Sequence, residues 1–267
     1  VIRDLTLTGS VVGYAHVGGL IGYAYGGTIS GITNAADVSS GGHDVGGIIG
    51  TFFEESSDYT ASSVSDVVNT GSVSYIPVTH NKTNEVDIEN EWNELGTISD
   101  AVGIRYGGVV GSGVTLRLTG GYNTGAVTAR YVVGGVVGAL RSLIDTTVDG
   151  AFITQSFNTG KITATAGLYA SVTYKEYTVP FITAYTGGVV GRIVGAGYVN
   201  YSFNSGSVTG TFVGKVDGDP LLGGSVTKAE APAVGSDDSG NYLGARGVGG
   251  IVGFTSYGLP AGGGGRQ

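Results

Sequence analysis

The chain has no cysteine and no methionine, and only five prolines among 267 residues. Without cysteine there are no disulfide staples and no thiol-ligated metal. Without methionine the sequence is expected to be a processed product or an excised fragment that begins at Val1. Charge is scarce as well: 13% of residues are Asp, Glu, Lys or Arg, about half the usual ~25%. The net charge of −8 disfavours nucleic acid and anionic lipid as partners, because both repel an acidic chain. No apolar run is long and clean enough to read as a membrane span. The most apolar window, Val179 to Val199, carries several glycines and Arg192, which is costly at the centre of a bilayer.

What the chain has in excess is glycine, 52 residues. Each would cost about 1 kcal/mol in a helix interior relative to alanine, which excludes a helical bundle. The glycines do not fall on every third position, which excludes collagen. With 41% hydrophobic residues and 16 tyrosines, the chain is also too apolar for simple disorder.

Much of the glycine is repetitive. Val17-Gly-Gly-Leu-Ile-Gly22 recurs at Val45, Tyr106, Val133, Thr186 and Val248, each time as Gly-Gly, two apolar residues and Gly. A second element alternates with it: Asn69-Thr-Gly-Ser-Val73, Asn123-Thr-Gly-Ala-Val127, Asn158-Thr-Gly-Lys-Ile162 and Asn204-Ser-Gly-Ser-Val208, with looser copies at Leu7 and Asn34. The shortest unit, Tyr106 to Val133, is 27 residues. Longer spacings hold extra sequence at one preferred point, between the Asn-Thr-Gly turn and the next Gly-Gly. Runs of β-branched residues punctuated by glycine read as short strands, with no helical periodicity. A repeat of this length with insertions on one side reads as a solenoid. The expectation is an all-β, right-handed parallel β-helix of six coils, each a circuit of three short sides, forming a single domain over 1–267. Insertions are expected at 76–104, 164–184 (an extra hairpin) and 211–246, with a Gly-rich tail over 255–267.

In a solenoid, equivalent residues stack in columns. Val11, Val38, Val73, Val127, Ile162 and Val208 suit an inward β-branched column. Tyr122, Phe157 and Phe203 can stack as aromatics. Asn34, Asn69, Asn123, Asn158 and Asn204 can bond side chain to side chain along the axis. Gly9, Gly71, Gly125, Gly160 and Gly206 are expected to supply positive φ at this corner, and the Gly-Gly pairs to mark another.

These interleaved segments, Val-Gly-Gly-(Leu/Val)-(Ile/Val)-Gly and Ser-Phe-Asn-Thr-Gly-x-Val, resemble the GLUG repeat. GLUG repeats occur in bacterial surface proteins, including adhesin-like proteins and the non-catalytic regions of immunoglobulin A proteases. The resemblance implies an extracellular or cell-surface, repetitive β-helical segment. It covers the repeated elements and not the insertions, and it supplies no ligand.

Motifs for chemistry are few. Val133-Gly-Gly-Val-Val-Gly138 lacks dinucleotide-loop spacing, and Gly210-Thr-Phe-Val-Gly-Lys215 is a residue short of a phosphate loop. The three histidines, His16, His43 and His80, form no His-Glu-x-x-His zinc motif. His16 and His43 precede Val17 and Val45 by one and two residues and read as surface or loop groups near a corner. The acids Glu54, Glu55, Asp58, Glu85, Asp87, Glu89, Glu91 and Glu94 gather in insertions and read as solvated loop charge. Asp217, Asp219, Asp237 and Asp238 are oxygen-rich candidates for calcium, without the twelve-residue EF-hand pattern; no other cofactor is expected. Trp92, Tyr169, Tyr174 and Tyr177 are candidate interaction residues, because loops on a rigid scaffold carry recognition.

The resulting expectation is a non-enzymatic structural or adhesive module that presents loops to a host protein or glycan, or self-associates head to tail. The rival is a carbohydrate-active β-helix enzyme, a lyase or hydrolase, which needs carboxylates and Arg/Lys converging on one face.

Overall fold

A computed structural model describes residues 1–54, 62–76, 104–142, 150–166, 172–174, 177–179, 184–212 and 246–256. The described residues are all strand and turn, with no helix and therefore none long and apolar enough to cross a membrane. They form six coils stacked in parallel, a parallel β-helix. Each coil contributes one segment to each of four parallel sheets.

Sheet I holds Ile2–Leu7, Thr28–Asn34, Ser63–Asn69, Arg117–Asn123, Phe152–Thr154 with Phe157–Asn158, and Tyr198–Asn200 with Phe203–Asn204. Sheet II holds Ser10–Gly13, Asp37–Ser40, Val73–Tyr75, Val127–Ala129, Ile162–Ala166 and Val208–Phe212. Sheet III holds Val17–Gly18, His43–Gly46, Ile104–Gly107, Val132–Gly134, Ala184–Gly187 and Arg246–Gly249. Sheet IV holds Ile21–Tyr25, Ile49–Phe53, Val110–Val114, Val137–Arg141, Val190–Val194 and Val252–Ser256. The circuit thus has four sides rather than the three expected from repeat length, and the Gly-Gly pairs lie at the bend between sheets III and IV, a corner as expected.

The register is continuous. Val11, Val38, Val73, Val127, Ile162 and Val208 are direct partners along sheet II, and the middle four are buried. Two apolar clusters fill the interior. One lies between sheets I and IV around Ile32, Val67, Leu118, Ile153, Phe52 and Leu140. The other lies between sheets II and III around Val38, Val127, Ile162, Val45, Tyr106 and Val133.

All three long insertions leave from sheet II and return to sheet III: after Tyr75 to Ile104, after Ala166 to Ala184, and after Phe212 to Arg246. The second carries an antiparallel hairpin, Val172–Tyr174 with Tyr177–Val179.

Candidate functional site

The asparagine column forms the axis of the molecule. Asn34 Nδ2 donates to Asn69 Oδ1 at 2.8 Å, Asn69 to Asn123 at 2.8 Å, Asn123 to Asn158 at 2.8 Å and Asn158 to Asn204 at 2.7 Å. Each amide also donates to the backbone carbonyl two residues on, as Asn123 does to Gly125 at 2.8 Å. The first four asparagines are fully buried, and this double use satisfies donors that would be costly to leave unpaired.

The two repeated sequence elements meet here. In the first five Gly-Gly pairs the second glycine lies against the asparagine of the next coil. A Cβ on Gly108 would come within 2.3 Å of Asn123 Cγ and 2.2 Å of Gly135 O, and one on Gly135 within 2.4 Å of Asn158 Cγ and 2.0 Å of Gly188 O. The coil is therefore pinched between the I/II and III/IV corners, with one apolar cluster on either side of the pinch.

The turn glycines have a different role from the one expected. Gly9 has φ +102°, but Gly71, Gly125, Gly160 and Gly206 are not in the left-handed region. Side chains there are excluded by stacking: a Cβ on Gly125 would lie 1.9 Å from Gly71 O, and one on Gly160 2.1 Å from Gly125 O. Positive φ falls instead on a column through sheet I made of Asp4, Gly31, Asp66, Gly120, Gln155 and Tyr201. It kinks every strand of that sheet and splits it outright in the last two coils.

On the outside of sheet I, Tyr122 meets Phe157 edge-on at 6.2 Å between centroids, and Phe157 meets Phe203 at 4.5 Å. A second pair, Phe152 and Tyr198, stacks at 5.6 Å. Tyr174 and Tyr177 are register partners in the hairpin. Trp92, Tyr169, Asp217, Asp219, Asp237, Asp238 and His80 lie outside the described residues, so the candidate calcium acids and half of the candidate interaction aromatics have no position here.

A further cluster was not legible as a site in the sequence. His16 in the first coil, Asp44 in the second and Arg105 in the third each precede the register-paired Val17, Val45 and Tyr106. All three have positive φ, between 50° and 61°. The Asp44 carboxylate is buried at 2% side-chain exposure and gathers its neighbours. His43 Nδ1 donates to Asp44 Oδ2 at 2.9 Å. His16 Nδ1 lies 3.5 Å from the same oxygen and 2.8 Å from Thr51 Oγ1. Arg105 Nη2 donates to Oδ2 at 2.9 Å while its Nε lies against Oδ1. The imidazole centroids are 5.1 Å apart, with the rings at 85°. Burial pushes the Asp44 carboxyl up, but Arg105, the His43 hydrogen bond and the two imidazoles outweigh it and hold the carboxyl below its ordinary value. His43 is buried and not a loop group. His16, Asp44 and His43 each offer a donor atom within 4.8 Å of the other two.

Comparison with protein-family models, with curated proteins and with solved structures found no match to this chain.

Proposed function

We propose that this chain is a structural or adhesive repeat module of an extracellular, bacterial surface or fibre-forming protein, working as a stiff rod without catalysis. The resemblance of its repeats to GLUG segments supports the setting. The observation that carries the mechanical reading is the distribution of exposed apolar side chains. Among the described residues, every exposed large hydrophobic except Ile76 lies in the first or the last coil. Val12 (67%) and Tyr25 (65%) are at one end, and Tyr201 (82%) and Phe203 (49%) at the other. Among the described residues, the strands of the first and last coils pair with a neighbour on one side only, and such edges template pairing with another strand. The chemistry that joins coil to coil inside the chain is thus offered outward along its axis, where it can join neighbours head to tail.

Negative-stain microscopy and sedimentation velocity over a wide concentration range test this. Particles are expected to lengthen with concentration at constant width. Rods that stay monomeric at high concentration would sink the end-to-end reading. Gly250 supplies the control: a Cβ there meets nothing within 4 Å, whereas its equivalent Gly188 is closed in by Gly250 O and Asn204. Gly250→Val should leave the single rod intact and block lengthening. The adhesive arm, loops binding a host protein or glycan, is tested by arrays of both classes.

A further inference from the structure

We propose that His16, His43 and Asp44 bind one divalent transition-metal ion of the zinc class, with Arg105 holding the carboxylate in position. The donor set is two imidazole nitrogens and one carboxylate oxygen, which suits zinc and its neighbours; calcium and magnesium prefer all-oxygen shells. The spacing also fits. Ligand bonds of about 2.0–2.1 Å arranged tetrahedrally place neighbouring donor atoms about 3.3 Å apart. Asp44 Oδ2 lies 2.9 Å from His43 Nδ1 and 3.5 Å from His16 Nδ1, on either side of that value, and all three donors lie within 4.8 Å of one another, so that the two imidazoles close on the ion as it binds.

The frame around the donors is fixed by backbone pairing and not by a loop. His16 N donates to His43 O at 3.0 Å, and the Val17–Val45 and Gly18–Gly46 register follows immediately. Arg105, from the next coil, holds the carboxylate through both oxygens, with Nη2 on the ligating Oδ2 at 2.9 Å and Nε against Oδ1, the kind of orienting hydrogen bond that ligating carboxylates receive. The His16 side chain is 32% exposed, so an ion has a path from solvent, and a water completes the coordination on that side. Two changes accompany binding. Each ligating imidazole carries its proton on Nε2, which for His43 means a shift from Nδ1, and His16 exchanges its contact with Thr51 Oγ1 for the ion. The ion then cross-links the first coil to the second, at an end where the sheets have a neighbour on one side only.

The test is calorimetric titration of the untagged, chelator-stripped chain with zinc chloride, paired with thermal unfolding. One equivalent is expected to bind and to raise the melting temperature. His16→Ala removes the most exposed of the three ligands, and is expected to weaken binding at least tenfold and abolish the zinc-dependent shift; His80→Ala should change neither. His43→Ala serves as a second ligand variant, read in the same two ways if it folds. Absence of zinc binding in the parent chain, or equal binding after His16→Ala, overturns the site. Calcium chloride run in parallel tests the metal class, and calcium binding that disappears with His16→Ala would overturn it.

Discussion

Replacing Asn123 by alanine tests the idea that the asparagine ladder is the main polar fastening between coils. Asn123 makes three hydrogen bonds at full burial: it accepts from Asn69 and donates to Asn158 and to Gly125 O, all at 2.8 Å. Each is worth about 1 kcal/mol net, and a buried partner left unpaired costs about 1–3 kcal/mol. Asn69 Nδ2 keeps its bond to Gly71 O, so the sharper losses fall on Asn158 Oδ1 and Gly125 O. The expected destabilisation is about 3–5 kcal/mol. Asn204→Ala, at the half-buried end of the ladder, removes equivalent bonds to Asn158 and Gly206, but water can replace them. It should cost about 1 kcal/mol.

The assay is equilibrium urea unfolding followed by far-UV circular dichroism. With a slope of roughly 3 kcal/mol/M, Asn123→Ala should lower the midpoint by about 1 M or more, and Asn204→Ala by a few tenths. Because coils interact only with their neighbours, the central variant should also loosen the chain locally. Amide exchange should rise at the backbone donors of Thr124 and Thr159, which bond to Asn69 O and Asn123 O. Equal costs for the two variants, or a cost below 1 kcal/mol at Asn123, would refute the reasoning and leave the ladder as a passive consequence of stacking.

Three other outcomes follow from the same geometry. Gly135→Ala, whose Cβ would lie 2.0 Å from Gly188 O, should cost more than about 3 kcal/mol or prevent folding, while Gly250→Ala should stay within about 0.5 kcal/mol of the parent by the same urea assay. Gln155→Gly should stabilise by about 0.5–1 kcal/mol, since Gln155 is exposed and held at φ +50°, where glycine has no Cβ penalty; destabilisation would show that its side chain holds the kink. Asp44 ionises below its unfolded value of about 3.9, so its stabilising contribution is present above about pH 4 and is lost as pH falls through the lower folded value. Unfolding free energy measured from pH 7 to pH 2.5 should therefore fall less steeply in Asp44→Asn than in the parent.

The columns were legible because stacking repeats a requirement at every coil. Six β-branched residues after the turn, or five asparagines before it, can only reflect a shared environment, and the register pairs them one to one. The reason for glycine was less legible. Sequence shows that a side chain is excluded, not whether the exclusion comes from the residue's own φ or from a neighbouring carbonyl. Gly71 and Gly125 belong to the second kind, while the left-handed positions went to residues such as Asp66 and Gln155, which carry no glycine signature. The Gly-Gly corner was legible, but the fourth side of the coil was not, since repeat length fixes the circumference and not how many short strands divide it. The His16–Asp44–Arg105 column escaped notice because its members share a position and no chemistry. His43 is offset by one residue, and Arg105 is separated from Asp44 by the first long insertion. Aligning the residue before each Val-Gly-Gly segment, instead of the segment alone, would have placed His16, Asp44 and Arg105 in one column.

The two ends of the stack are not chemically alike, and this bears on any head-to-tail junction. Ladder bonds run one way, each asparagine donating to the next coil, so Asn204 ends the series with an amide directed along the axis. At the other end the register partner of Asn34 is Leu7, which has no acceptor to offer. A junction between copies therefore sets Asn204 against Leu7 and lacks one of the bonds present at the four ladder steps inside the chain. The apolar contacts of Val12, Tyr25, Phe203 and Val248 must then supply most of the attachment. That makes such a contact weaker and more reversible than the coil–coil interfaces within the chain, even though both are built on the same sheets. A coil carrying asparagine in place of Leu7 would fit the last coil more closely, because it would continue both the ladder and the close packing that Gly250 leaves open. The repeat is best regarded as half of an interface: from the second coil on, each coil offers a carbonyl, an asparagine and a bare glycine along the axis, and function at the ends depends on what meets them.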